Sequence, residues 1–131
     1  MRREYPARAD SVPLARNEAA GRARELGVDQ SVAQAVALAV TEACSNVVVH
    51  AYREREEPGE MTVLVERAGD FLCVTVLDDG LGIAPRLDSP GLGMGLPLIS
   101  QITDRLDLRS RREGGAEVSM RFDLTRSRAA A

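Results

Sequence analysis

The sequence predicts an α+β fold, a two-layer sandwich with helices on one face of a mixed, mostly antiparallel sheet. Three observations carry that prediction. Val32, Val36, Val40, Ala43 and Val47 recur at helical spacing and define a long core-facing helix. Met61 to Arg67 and Phe71 to Leu77 alternate apolar and polar residues around Ala68-Gly69-Asp70, the pattern of an antiparallel hairpin. Two further strand-like stretches, Arg105 to Ser110 and Ala116 to Leu124, flank Gly114-Gly115.

The elements follow in order along the chain. Arg2 to Ala7 reads as a short edge strand. Ser11 is expected to cap a first helix running to about Leu26, with Gly27 as the residue just past its end and Arg16, Arg22 and Arg24 along it. The second helix is expected to start near Asp29 or Ser31 and to give way to a charged, solvated loop from Arg53 to Gly59. Asp78 ends the second hairpin strand. Residues 83–90 contain no periodic apolar face and are read as a mobile loop. A third helix from about Leu96 to Asp104 follows a glycine-rich opening. No internal repeat or linker interrupts the chain, so 1–131 reads as one domain with its core at about 5–124 and a frayed tail over 125–131.

Composition narrows the function classes. The chain has 131 residues, 44% hydrophobic and 28% charged, enough for one sheet-and-helix core and unlike a disordered protein. Its net charge is −3, and its basic residues, all arginine, are interspersed with acidic ones, which argues against nucleic-acid binding. No run of about 18 apolar residues and no apolar signal core near Met1 are recognised, so no membrane association is expected and the expected location is the cytoplasm. Cys44 and Cys73 fall in apolar elements and read as reduced core thiols. With one histidine and no Cys-x-x-Cys pair, a structural zinc site is not expected.

The chemistry-bearing residues form three groups. Glu42, Asn46 and His50 are spaced by four on the second helix, forming a polar stripe at the edge of its apolar face. Asp78-Asp79-Gly80-Leu81-Gly82 follows an apolar strand, and Gly91-Leu92-Gly93-Met94-Gly95-Leu96 opens the third helix. Taken singly, each has a plainer reading: solvated carboxylate, helix-end amide, dipole-stabilised histidine, strand-ending turn, flexible loop. Their conjunction reads as a nucleotide site. Gly91, Gly93 and Gly95 let successive backbone N–H groups turn toward phosphate oxygens, helped by the helix N-terminus. The chain has no lysine, which excludes a P-loop, and Leu96 stands where a Rossmann fingerprint needs its third glycine.

The order Glu-x-x-x-Asn-x-x-x-His-Ala-Tyr, Asp-x-Gly-x-Gly-Ile and Gly-x-Gly-x-Gly-Leu resembles the GHKL ATPases, and more closely the bacterial anti-sigma-factor serine-protein kinases, from about Tyr5 to Leu124. The resemblance implies ATP and Mg²⁺ as ligands. It makes Asp78 the acceptor for the exocyclic amine of adenine, with Gly80 and Gly82 giving close backbone passage and Ile83 lining the base pocket. It makes Asn46 the Mg²⁺ ligand, Glu42 the general base or the group that positions water, and His50 a support of the site, with Leu96 beside the phosphate loop. Segment 83–90 becomes the ATP lid and Arg16 a partner-contacting arginine. The implied partners are a sigma factor and an anti-sigma antagonist that is phosphorylated on serine, with a homodimer as the assembly. Alternatives are a partner-switching module without kinase activity and the detached catalytic domain of a histidine kinase. Two departures bear on activity. Gly115-Ala116 stands where the family has Gly-Thr, with Ser119 a doubtful substitute for the lost hydroxyl, and the lid between Gly82 and Gly91 has only eight residues.

Overall fold

A computed structural model describes residues 1–51, 59–80 and 95–125. Strand β1 (Arg2–Pro6) leads into helices α1 (Ser11–Glu25) and α2 (Gln30–Asn46), and α2 continues into a π-helical turn, Val47–Ala51. Then come β2 (Glu60–Ala68), β3 (Phe71–Asp78), α3 (Gly95–Ile102), β4 (Arg105–Ser110) and β5 (Ala116–Asp123). The sheet has the order β1-β2-β3-β5-β4, and all four pairings are antiparallel. The α+β sandwich is the expected one, and no parallel pair occurs among the described strands.

Period-two alternation decides which face is covered. Tyr5, Met61, Val63, Val65, Leu72, Val74, Val76, Val118, Met120 and Phe122 are buried together with the apolar stripes of the helices. Val32, Val36, Val40, Ala43 and Val47 are all within that core, as their spacing predicts. Alanine at positions 15, 19 and 23 of α1 lets that helix lie close against α2, with which it packs along its length. By length and composition the run Gln30–His50 is apolar enough to cross a membrane, contrary to the expectation that no such run exists. Here its apolar side forms the domain core.

Helix ends bear out some of the local readings and correct others. Asp29 caps α2 by accepting the Val32 N–H at 2.9 Å. Gly27 follows α1 with φ +88, the left-handed conformation expected there, and Arg67 Nη1 donates to the Leu26 carbonyl at 2.7 Å. Ser11 is not the cap of α1: it is the buried first residue of the helix, and Asp10 holds the cap position without a side-chain cap bond. The backbone supplies the bond instead, Ser11 N–H donating to the Arg8 carbonyl. Helix α3 stops at Ile102, before the expected Asp104, because the Asp104 N–H donates to Arg121 of β5 at 2.8 Å. The Asp104 carboxylate in turn accepts the Asp123 N–H.

Candidate nucleotide site

The alternation that buries Leu72, Val74 and Val76 also turns Asp78 toward the helices, leaving it 6% exposed. Burial pushes its carboxyl above the ordinary carboxylate range, opposed by backbone donors from Gly80 and Ala116; Asp79 adds to the rise and Arg111 counters it. Asp78 Oδ1 accepts the N–H of Gly80 at 2.9 Å and of Ala116 at 3.3 Å. Oδ2 accepts no bond among the described residues.

The turn between β4 and β5 closes on the same point. Arg111 N–H donates to the Gly115 carbonyl, Gly114 N–H donates to the Arg111 carbonyl, and Gly115 has φ +97. A Cβ at Gly115 would lie 1.8 Å from the Asp78 carbonyl oxygen, so only glycine permits this approach of β5 to the end of β3. Arg111 Nη1 donates to that same carbonyl at 2.7 Å. The sequence reading put Gly115-Ala116 at the family's Gly-Thr position, but it missed both the approach of Gly115 to the Asp78 carbonyl and the part played by Arg111. Nothing local marks Arg111, since its partner lies 33 residues away. Ser119 cannot replace the missing hydroxyl at Ala116: the two residues lie on opposite faces of β5.

Glu42 and Asn46 sit half-buried on α2, which packs against both β3 and α3. Neither forms a side-chain bond among the described residues, and Asn46 Nδ2 is fully buried and unpaired. An unsatisfied buried amide of this kind costs about 1–3 kcal/mol and calls for an explanation. His50 does not continue the α-helical stripe, because the backbone changes to π-helical pairing at Val47, and such turns occur often at functional sites. Gly95 opens α3, and Leu96 lies in its first turn. Gly82, Ile83, Gly91 and Gly93, with the lid segment, lie outside the described residues. Arg16 lies on α1, its Nε donating to Asn17 Oδ1 at 3.3 Å.

The donor set fits an adenine nucleotide with a hard cation. Asp78 keeps a free carboxylate oxygen for an amine, and Asn46 holds an amide whose two ends exchange by rotation, so its unpaired position accepts a carbonyl oxygen equally well.

Helices over one face of the antiparallel sheet make a two-layer α+β sandwich. The family model for the histidine kinase-like ATPase domain matches residues 5–122, and the chain belongs to that family. It is 34% identical over 112 residues to the sensor histidine kinase PdtaS of Mycobacterium tuberculosis, covering 80% of this chain but 22% of that kinase. The chain thus spans about a fifth of that relative. It is 30% identical over 132 residues to the serine-protein kinase RsbW of Bacillus cereus, covering 89% of this chain and 80% of that protein. Among solved structures, that of the RsbU and RsbW domains of Rv1364c from Mycobacterium tuberculosis superposes with a TM-score of 0.74 at 19% identity, covering 95% of this chain and 31% of that one. The histidine kinase domain of a blue-light activated kinase from Erythrobacter litoralis gives 0.55 at 27% identity, over 72% of this chain and 46% of that one.

Proposed function

We propose that the chain is an ATP-binding anti-sigma factor with serine-protein kinase activity, which sequesters a sigma factor and phosphorylates an anti-sigma antagonist. The observation that carries this reading is the match to RsbW across most of both chains. The PdtaS similarity covers only a fifth of that kinase and supports the ATPase domain alone. The action proposed is cytoplasmic, and a homodimer is the proposed assembly.

In this reading Asp78 Oδ2 accepts the exocyclic amine of adenine, a contact that the guanine carbonyl cannot make. Gly80, Gly82 and Ile83 border the base. Gly91, Gly93, Gly95 and the first turn of α3, with Leu96, hold the phosphates through backbone N–H groups. Asn46 would hold Mg²⁺, with His50 supporting the helix end. A divalent cation held there would supply positive charge against the phosphates. Glu42 takes the proton of the attacking serine hydroxyl as its oxygen bonds to the γ-phosphorus and the bond to the β–γ bridging oxygen breaks. Arg16 contacts a protein partner.

The test is transfer of labelled γ-phosphate from ATP to candidate antagonists. Acid-stable label on serine is the expected result in the parent, falling about 100-fold or more in Glu42→Gln while Mg-ATP affinity is kept. Asn46→Ala should lose the Mg²⁺-dependent part of nucleotide binding. Unchanged transfer in Glu42→Gln removes the general base. A second reading, an ATP-binding partner-switching module without kinase activity, draws support from Ala116 in place of a hydroxyl residue. Stable antagonist binding without label would favour it.

A further inference from the structure

Asp78 is held at both ends by a single hairpin. Arg111 Nη1 binds its main-chain oxygen at 2.7 Å, and Ala116 N–H binds its Oδ1 at 3.3 Å. Arg111 is itself fixed, because its N–H and its carbonyl are both used within the turn, by Gly115 and Gly114. The carbonyl it grips is the one that would lie 1.8 Å from a Cβ at Gly115, so the end of β3 is wedged between the turn backbone and the guanidinium. Beyond Asp78 the strand ends, and Gly80 N–H returns to the carboxylate rather than continuing the ladder with β2. A carboxylate at a strand end keeps its direction only if the main chain beneath it is fixed.

From this arrangement we infer that Arg111 is a positioning residue for base recognition: by fixing the main chain of Asp78 it aims Oδ2 at the exocyclic amine and so sets the preference for an amino-substituted purine. The inference rests on the proposed adenine site. Arginine suits the task because one planar group delivers a charge-assisted, directional donor to the carbonyl, while Lys keeps the charge and a donor on a more flexible stem.

The test titrates ATP and purine riboside 5′-triphosphate, which lacks the exocyclic amine, into the parent and the Arg111→Met, Arg111→Gln and Arg111→Lys proteins, with melting curves for each. The parent should prefer ATP by about tenfold or more. The preference should shrink to roughly threefold or less in Arg111→Met and Arg111→Gln and be partly restored in Arg111→Lys, which keeps the charge and a donor but not the planar geometry. An unchanged preference in folded Arg111→Met, or an equal loss of affinity for both nucleotides, overturns the inference and leaves a purely structural bond. Should Arg111→Met not fold, the contrast between Arg111→Gln and Arg111→Lys decides on the same terms. A parent that binds ATP without preferring it removes Asp78 as base reader, and a parent that binds neither nucleotide removes the adenine site itself. These failures differ from that of Arg111 alone.

Discussion

Asp78 occupies a position that strand alternation would otherwise give to an apolar side chain, and its raised carboxyl pKa shows that burial of the charge is unfavourable. The folded chain therefore holds a proton at Asp78 at pH values where the unfolded chain has released it. The stabilisation from this group is full below the ordinary carboxylate range and is lost as pH rises through the raised folded value. Asp78→Asn should remove the dependence, so the melting temperature of the variant relative to the parent should climb as pH increases through that range. Thermal melts at a series of pH values measure it, and a constant offset contradicts it. Asp78 was legible in the sequence because an acid ends an apolar strand just before two glycines. The unpaired Asn46 amide was legible in position only, since its lack of partners depends on what α2 packs against.

At the scale of elements, the turn between β4 and β5 is the most exacting piece of the fold. Gly115→Ala places a methyl against the Asp78 carbonyl at a backbone angle that L-residues rarely adopt. It should destabilise the domain by about 3 kcal/mol or more, roughly a 10 °C drop in melting temperature, measured by calorimetry or circular dichroism. The cap of α2 is an independent test of the helix boundaries: Asp29→Ala should cost about 1 kcal/mol by denaturant titration. Hairpins and helix faces were readable because periods of two and 3.6 residues leave distinct patterns. The π-helical turn at Val47–Ala51 was not. Valines at 47, 48 and 49 satisfy either backbone, and the choice between them rests on tertiary packing.

Across the whole molecule, the proposed function puts two tasks on different parts of the sandwich. In the proposed function, the nucleotide-contacting Asp78 ends β3 and Asn46 lies on α2, which packs against β3 and α3, whereas Arg16 lies on α1. In the proposed function, Arg16→Ala should therefore weaken partner binding, read by pull-down or interferometry with a candidate sigma factor, and leave ATP affinity unchanged. Loss of ATP affinity with intact partner binding would count against a docking role. The architecture was legible because one apolar stripe per helix and one apolar face per strand admit only a two-layer arrangement. The strand order β1-β2-β3-β5-β4 was not, because pairing partners distant in sequence leave no local signature. It is this order that seats β5 beside β3 and brings Arg111 and Gly115 to Asp78.

Calorimetric titration of Mg-ATP and Mg-GTP into the parent and Asp78→Asn decides whether Asp78 reads adenine. The parent should bind ATP in preference to GTP, and the folded variant should lose about tenfold or more in ATP affinity because the amide presents a donor to the base amine. A variant that binds ATP as tightly as the parent, or a parent that binds GTP equally well, would contradict it.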